Sequence, residues 1–475
     1  MEAVDTTKYK KKALVITGLG TFLGTLDSSI VNVSLPSISR DLNTTVDMVG
    51  WVVLAYAITI ITLLMLFGSL SAKKGFQFSY RYGFSIFLFG SLLCGLSFEI
   101  YMLIASRAIQ GIGAAMMMSV GPALVTQSFP VQERGRGLSV IAMVVSTGLL
   151  LGPPLGGFII GLIGWRWIFF VNIPVCIAGV YFTNKFISDF PILDPKKRIP
   201  IPGATFLALA LLTMMISLMI FSKNIITMPI LIAFLAASGI FLIFFLYFES
   251  SPKTQLIGLR IFNNRVFSFS AGAMLLVFIS LASVTVLIPF FLEKIRGLEP
   301  QEVGLYLMII PICILFVAPL SGYLADKIQA RIVTTIGVII MAIGLYLTRE
   351  LHADSNAFDI IRVLVLIGIG MGLFSTPNTS SIMGSVEREQ LGTASGINAT
   401  IRTLGIAFGV SIAISIFEYF RNAGLSRGMG ASEAFMFGYH TVYEYIIYIV
   451  LGAILISWLR GKDKDPVKES FGING

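Results

Sequence analysis

The sequence has few charged residues. Lysine, arginine, aspartate and glutamate make up 12% of its 475 residues, whereas soluble globular proteins carry about 25%. Hydrophobic residues make up 56%, and the mean hydropathy is +0.88. A soluble domain of this composition would expose large apolar patches and aggregate, so the composition excludes an ordinary soluble protein.

The residues that build metal centres and catalytic sites are also scarce. The three cysteines, Cys94, Cys176 and Cys313, lie in apolar runs without a CxxC pair, and the two histidines, His352 and His440, lack ligand-like neighbours. There is no GxxxxGK[ST] phosphate loop, no HExxH motif and no visible Ser-His-Asp arrangement. We therefore expect no cofactor, no metal, no direct use of ATP and no enzymatic activity.

Long apolar runs dominate instead. Their length of about 18 to 25 residues matches a helix that crosses a bilayer, and they lack the alternation of a barrel. The first run has no signal-peptide cleavage site and is read as a retained span. The predicted spans are 13–35, 50–70, 81–98, 101–128, 138–163, 167–187, 203–222, 227–248, 267–292, 303–324, 331–348, 360–383, 394–419 and 441–459.

The distribution of lysine and arginine predicts the orientation of these fourteen spans. With the N-terminus in the cytoplasm, 23 of the 34 lysines and arginines fall in cytoplasmic segments, 9 in outer loops and 2 within spans. This bias follows the positive-inside rule, so both termini are expected in the cytoplasm. The net charge of +9 is thereby explained without a nucleic-acid partner.

Polar linkers predict a 6+2+6 division of the chain. The segments are a cytoplasmic N-terminal tail, a six-helix bundle, linkers with a central two-helix insertion, a second six-helix bundle and a cytoplasmic C-terminal tail. Their bounds are 1–12, 13–187, 188–266, 267–460 and 461–475.

Three stretches of the first half carry a family resemblance. They are TLDSSIVNVSLP from Thr25, RAIQGIGAA from Arg107, and GLLLGPPLGG from Gly148 followed by WRWIFFVNIP from Trp165. In combination they resemble the 14-helix drug–proton antiporter branch of the major facilitator superfamily, and the resemblance covers the whole chain. It implies an all-α polytopic membrane protein with the major facilitator fold.

Asp27 is the only acidic residue in the middle of a predicted span. A carboxylate at that depth is costly unless it is neutralised or paired. It is therefore either a proton-binding group or a structural acid. Arg107 lies at a similar predicted depth and, as the resemblance implies, serves proton translocation; the alternative is a structural ion pair. We predict Asp27 and Arg107 as the proton-coupling residues.

Glycines recur every four residues in the fifth span and form a smooth helix face. Such faces allow close helix packing in lipid, and the paired prolines weaken the helix there. The resemblance implies the antiporter motif at the interface between the bundles, whereas the alternative is ordinary small-residue packing. The residues of this predicted interface are Gly148, Gly152, Pro153, Pro154, Gly156 and Gly157.

The loop after the second span departs from the family pattern GxLaDRxGR[RK]. It reads GSLSAKKGFQ from Gly68, where Ala72 replaces the acid of the pattern and Phe76 and Gln77 replace its final pair of basic residues. The corresponding stretch of the second half, GYLADKIQAR from Gly322, keeps the acid. The repetition indicates two related halves. Asp326 is predicted to carry the remaining latch or to be a solvated loop acid. The predicted cytoplasmic latch consists of Gly68, Gly75, Gly322, Asp326 and Arg331.

The substrate cavity is expected between the bundles near the midplane. Polar residues within spans are its candidates: Asn32, Gln110, Asn398 and Arg402. Arg402 either faces this cavity or extends back to the interface. Glu293, Glu418 and Glu444 lie near predicted outer ends and are read as interfacial residues.

We therefore predict a monomeric, multi-pass transporter in the plasma membrane of a prokaryote. It would export amphipathic small molecules in exchange for protons, with membrane lipids as its surroundings. One alternative is an exporter of a single defined substrate, such as a lipid, siderophore or metabolite. A non-transporting scaffold or receptor has little use for a midspan Asp27, and no filter-like repeat suggests an ion channel.

Overall fold

The computed structural model describes residues 6–129, 134–187, 201–221, 228–251, 259–386 and 391–461, and these parts of the chain consist of helices joined by short connections. In lipid a helix satisfies every backbone N–H and C=O within its own segment, which is why runs of this composition adopt no other spanning structure. The helices are α1 (Thr6–Asp41), α2 (Val46–Lys74), α3 (Phe76–Gly95), α4 (Ile100–Ser128), α5 (Arg134–Ile163), α6 (Trp167–Phe170), α7 (Asn172–Phe186), α8 (Ile201–Phe221), α9 (Met228–Glu249), α10 (Arg265–Phe290), α11 (Pro300–Leu307), α12 (Ile309–Ile328), α13 (Ala330–Arg349), α14 (Ala357–Gly384), α15 (Leu391–Ser426) and α16 (Ala431–Leu459).

Within the described residues, 12 helices are long and apolar enough to cross a membrane. They correspond to twelve of the predicted spans. The other two predicted spans, 81–98 and 203–222, fall on α3 and α8, which are helical but are not among these twelve.

The helices differ from the predicted spans mainly at their ends and at two breaks, which lie at Val171 and at Met308. The first helix continues to Asp41 with Pro36 inside it, because a helix does not stop where its apolar stripe stops. The predicted span 303–324 is divided at Met308 into α11 and α12. Pro311 explains this break, since its ring lacks an N–H and would clash with the carbonyl of Leu307 in a continuous helix.

The helices group into two bundles that pack internally. Helices α1 to α7 contact one another and form the first bundle, and α10 to α16 contact one another and form the second. Helix α8 packs on α9 and also contacts α2 and α15, one helix of each bundle. Helix α9 packs mainly on α8, where Phe206 stacks on Phe244 with ring centroids 5.1 Å apart. We call the end of the molecule that holds the α1–α2 connection the outer end, following the predicted orientation.

Candidate functional site

Asp27 lies inside the first bundle and is fully buried, with 0% exposure. Its Oδ2 accepts a hydrogen bond from Arg107 Nη1 at 2.6 Å. Its Oδ1 accepts from Gln110 Nε2 at 3.0 Å and from Asn172 Nδ2 at 2.8 Å. One carboxylate on α1 is therefore bound by three side chains from α4 and α7. We call Asp27, Arg107, Gln110 and Asn172 the Asp27 cluster.

The geometry of α4 explains why two of these donors reach the same carboxylate. Arg107 and Gln110 are three residues apart, which places them on one face of the helix. Glycines bring the neighbouring helices close to α4. A Cβ on Gly90 of α3 would lie 2.6 Å from the Gln110 backbone nitrogen, and a Cβ on Gly111 would lie 3.0 Å from the Tyr56 carbonyl of α2. A larger residue at Gly90 would push α3 away from α4, and one at Gly111 would push α2 away from α4.

Arg107 is 1% exposed, and every side of its guanidinium has a neighbour. Its Nε donates to the Val52 carbonyl at 3.1 Å, and its Nη1 also donates to Gln110 Oε1. The Tyr56 ring centroid lies 4.1 Å from Cζ, and the Phe169 ring lies 5.8 Å away. Burying two charges is costly unless further hydrogen bonds support the pair, and this site supplies both those bonds and cation–π contacts.

The structure adds residues that sequence reasoning did not select. Asn172 is the first residue of α7, and Ser91 of α3 accepts from Gln110 Nε2 at 2.8 Å. Gln110 was assigned to the substrate cavity, but the structure places its amide in the Asp27 cluster, where it is 0% exposed. Asn172 stood in the quoted WRWIFFVNIP stretch. Its polar side chain inside an apolar run was the available signal.

The glycine face of α5 divides between two neighbours. A Cβ on Gly148 would meet Thr25 of α1, and one on Gly152 or Gly156 would meet Ser29 or Ile30 of the same helix. A Cβ on Gly157 would instead meet α11 of the second bundle, 3.1 Å from Gln301 Cα and 3.2 Å from Gly304 Cα. Three glycines of the predicted interface thus pack within the first bundle, and Gly157 contacts the second.

The prolines of this motif contribute through the backbone. A Cβ on Gly304 would collide with the Pro153 carbonyl oxygen, so α5 and α11 touch main chain to main chain. Pro153 and Pro154 lie within the continuous helix α5. The prolines were expected to weaken the helix here, yet α5 stays continuous. The Leu149 carbonyl, which Pro153 leaves without its helical donor, accepts a hydrogen bond from Ser29 Oγ at 3.2 Å.

An ion pair also joins the two bundles at the outer end. Arg40 near the end of α1 contacts Glu293, which follows α10, with Nη2 and Oε1 2.9 Å apart. The Glu293 side chain is 5% exposed, and its Oε2 is buried without a hydrogen bond. Together with the Gly157–Gly304 contact, this pair holds the outer ends of the bundles closed in this structure.

The tryptophan-rich stretch fixes the outer end of α1. Asp41 Oδ2 accepts from Trp165 Nε1 at 2.9 Å and from Arg166 Nη1 at 2.6 Å. Arg166 Nη2 also donates to the Ser97 carbonyl at 3.2 Å. This stretch therefore joins α1, the α3–α4 connection and the α5–α6 connection.

The two latch loops adopt the same backbone bend. Gly75 has φ +90°, and its N–H donates to the Ser71 carbonyl at 2.7 Å. The corresponding residue of the second half is Gln329, with φ +85° and an N–H that donates to the Ala325 carbonyl at 3.2 Å. The repetition noted in the sequence thus extends to the backbone, even though glutamine replaces the residue that suits this conformation.

The remaining latch residues do not form one cluster in the described parts of the chain. Gly68 lies near Ser119, and Gly322 lies near Thr376. The Arg331 guanidinium lies over the Trp458 ring, with Cζ 4.7 Å from the centroid. The side chain of Asp326 lies outside the described residues.

The other candidate cavity residues lie on helices that face between the bundles. Asn32 of α1 and Asn398 and Arg402 of α15 are all half-buried. Asn398 Oδ1 is buried without a hydrogen-bond partner. Asn398 Oδ1 thus differs from the carboxylate oxygens of Asp27, each of which accepts hydrogen bonds.

Comparison with known proteins places this chain among transporters of one superfamily. The profile of the Major Facilitator Superfamily matches residues 17–410. The Riboflavin transporter RibZ of Clostridioides difficile (strain 630) is 35% identical over 411 residues, which cover 86% of this chain and 89% of the relative. The Multidrug resistance protein Stp of Mycobacterium tuberculosis (strain ATCC 25618 / H37Rv) is 28% identical over 435 residues, covering 91% and 81%.

A solved structure shows the same fold. The crystal structure of a bacterial homologue of the human lysosomal transporter Spinster, in an inward-facing and unoccupied conformation, aligns with a TM-score of 0.69. The alignment covers 95% of this chain and 97% of that one at 15% sequence identity. At that identity the likeness concerns the fold alone.

Proposed function

The chain belongs to the Major Facilitator Superfamily, and from that premise we propose that it is a proton-coupled exporter of small molecules that works by alternating access. The chain is accordingly a multi-pass transporter of the plasma membrane and not an enzyme, and relatives of it carry multidrug resistance names. The proposal adds the direction of transport, the coupling ion and the residues that carry the coupling.

The observation that carries the proposal is the Asp27 cluster. A carboxylate bound by three donors in a buried site changes its whole surroundings when it takes up a proton, because the charge that holds Arg107 disappears. Arg107 must then find another acceptor or a route to water, since its own charge persists. Proton uptake by Asp27 would thus loosen the packing of α1 on α4 and α7, and proton release would restore it.

The contacts at the outer end support an alternating-access cycle. The Arg40–Glu293 ion pair and the Gly157–Gly304 contact join the bundles there. Both contacts must separate for a substrate to leave on that side. Rocking of the two bundles about a site near the midplane would achieve this.

We further propose the 6+2+6 arrangement of fourteen helices with both termini in the cytoplasm, in a monomer. Helix α8 touches one helix of each bundle and α9 packs mainly on α8, as a central insertion would. The lysine and arginine bias supports the orientation. The proposed substrate cavity lies between the bundles beside Asn32, Asn398 and Arg402, and the loops at Gly75 and Gln329 are the proposed cytoplasmic latch.

A second candidate function is export of one defined metabolite. The name of RibZ, which is 35% identical to this chain, specifies riboflavin as its substrate. A chain with a selective cavity would share the fold and the Asp27 cluster and differ only in its range of substrates.

The test is transport into proteoliposomes that contain the purified protein. We expect an imposed pH gradient, acidic inside, to drive accumulation of a substrate from a panel of dyes, antibiotics and riboflavin. Accumulation of several unrelated compounds supports the multidrug function, and accumulation of riboflavin alone supports the second candidate. Accumulation that ignores the pH gradient would contradict proton coupling.

A further inference from the structure

Arg402 is a cation in the interior of the molecule without a counter-charge. It lies 11 residues into α15, and its side chain is only half-buried. Among the residues that the structure describes, its guanidinium makes no hydrogen bond and no ion pair. A guanidinium stays protonated in proteins, so this charge persists throughout any cycle.

The neighbours of Arg402 on α15 show where it faces. Gly405 and Gly409 pack closely on α10, because a Cβ on Gly405 would lie 2.7 Å from Phe278 Cβ. Ala399, three residues before Arg402, packs on the apolar core of the first bundle. Arg402 lies at an angular position between these two contacts on the helix. It therefore points into the wedge between α10 and the first bundle, which is the proposed substrate cavity.

A second polar group without a partner lies on the same face. Asn398 precedes Arg402 by four residues, a spacing that makes the two side chains neighbours on a helix. Its Oδ1 is buried and has no hydrogen bond. Buried polar atoms without partners are rare in native proteins and call for an explanation. A ligand that offers an O–H or N–H donor here would supply the missing bond.

The acid that could neutralise Arg402 is committed elsewhere. Asp27 lies in the middle of its span. Its two carboxylate oxygens accept hydrogen bonds from Arg107, Gln110 and Asn172. Of the described cavity candidates Asn32, Asn398 and Arg402, Arg402 is the charged one, and its charge is positive. Low-dielectric walls strengthen the field of such a charge, so it attracts organic anions and repels lipophilic cations.

From these contacts we propose that the substrate carries an anionic group, such as a carboxylate or a phosphate, which Arg402 binds, with a neighbouring hydrogen-bond donor that Asn398 accepts. This inference rests on the proposed function and names its substrate class. Relative to proton coupling it is a separate claim, because binding of an anion at Arg402 needs no gradient.

The experiment measures equilibrium binding to purified protein in nanodiscs of phosphatidylcholine. The probes are dodecanoate and dodecyltrimethylammonium, which have similar unbranched tails and head groups of opposite charge. We expect the wild type to bind the anion more tightly than the cation. A hydrogen bond to a charged group corresponds to about a 10- to 100-fold preference. In Arg402→Gln we expect this preference to vanish, and in Arg402→Lys to be largely retained, because the positive charge remains.

The matched control is Arg362→Gln, which removes a half-exposed arginine that pairs locally with Asp359. It should bind both probes as the wild type does. An undiminished preference for the anion in Arg402→Gln would overturn the proposal, as would equal binding of both probes by the wild type. If phosphatidylglycerol in the nanodiscs abolishes anion binding, the site holds a lipid phosphate, and the assignment to a transported substrate is overturned. Since no gradient is applied, a failure of proton coupling leaves these outcomes unaffected.

Discussion

Removing the charges of Asp27 and Arg107 separates a coupling role from a structural one. Asp27→Asn alone leaves Arg107 as a buried cation without its counter-ion. Removal of one partner of a buried pair costs about 3–5 kcal/mol, so loss of transport in that variant would have two explanations. The double variant Asp27→Asn with Arg107→Gln removes the titrating group and the stranded charge together. We expect it to lose less of the free energy of unfolding than Asp27→Asn does.

The size of the expected transport effect follows from the gradient. With the membrane potential clamped, one proton crossing a gradient of one pH unit supplies about 1.4 kcal/mol. If that potential is held at zero, an antiporter that exchanges one proton for one substrate molecule therefore reaches about tenfold accumulation, whatever the charge of the substrate. The double variant should reach none, while it still equilibrates substrate down a concentration gradient. The assay is substrate uptake into inverted vesicles, normalised to folded protein measured by size-exclusion chromatography.

The control uses a second ion pair of the same helix. Asp41 and Arg166 pair at 2.6 Å, but their side chains are 48% and 38% exposed, and exposed pairs contribute about 0–1 kcal/mol. Asp41→Asn with Arg166→Gln should keep both stability and accumulation. Tenfold accumulation by the Asp27–Arg107 double variant would refute the coupling role and leave the cluster with a structural function.

Three further predictions concern topology, packing and backbone strain. A cysteine at Ser426 should react with an impermeant reagent in intact cells, and one at Lys74 only after permeabilisation; labelling of Lys74→Cys in intact cells would contradict the orientation. Gly157→Leu should fold but transport poorly, because its side chain prevents closure of the outer end. Gly152→Leu should instead lower the yield of folded protein, because its side chain separates α1 from α5. Yield and activity equal to the wild type in both variants would show that neither contact matters. Gln329→Gly should raise the thermal unfolding temperature, since φ +85° costs a residue with a Cβ about 1–3 kcal/mol, and an unchanged or lower value would show that this bend is unstrained.

The spans were predictable because a run of about 20 apolar residues has one stable arrangement in lipid. Breaks inside spans were harder to foresee. Met308 separates α11 from α12 because of Pro311, yet Pro153 and Pro154 leave α5 continuous. A proline breaks or fits a helix according to what its neighbours offer to the freed carbonyl, and one span of sequence does not contain those neighbours.

The candidate site was predictable for residues that stand out by their depth in the membrane. Asp27 and Arg107 were selected because each is a charge in the middle of an apolar run, and charges at similar depth on adjacent helices attract each other. Asn172 was not selected, since its contact with Asp27 joins residues 145 positions apart. A neutral amide in an apolar run is a weaker signal than a charge, because a buried amide is tolerated wherever any partner can be found.

Glu293 shows where depth is a poor guide. Its position near an outer helix end favoured an interfacial acid, which would be solvated and free to move. The structure instead buries its side chain between the bundles and pairs it with Arg40. Because Arg40 and Glu293 belong to different bundles, opening of the outer end in the proposed cycle would separate this pair. If the outer end opens, Glu293 gains water and loses its partner in one step, and both changes alter its affinity for a proton. In the proposed cycle, the protonation of Glu293 would therefore depend on whether the outer end is open, whereas Asp27 would remain surrounded by the donors of its own bundle.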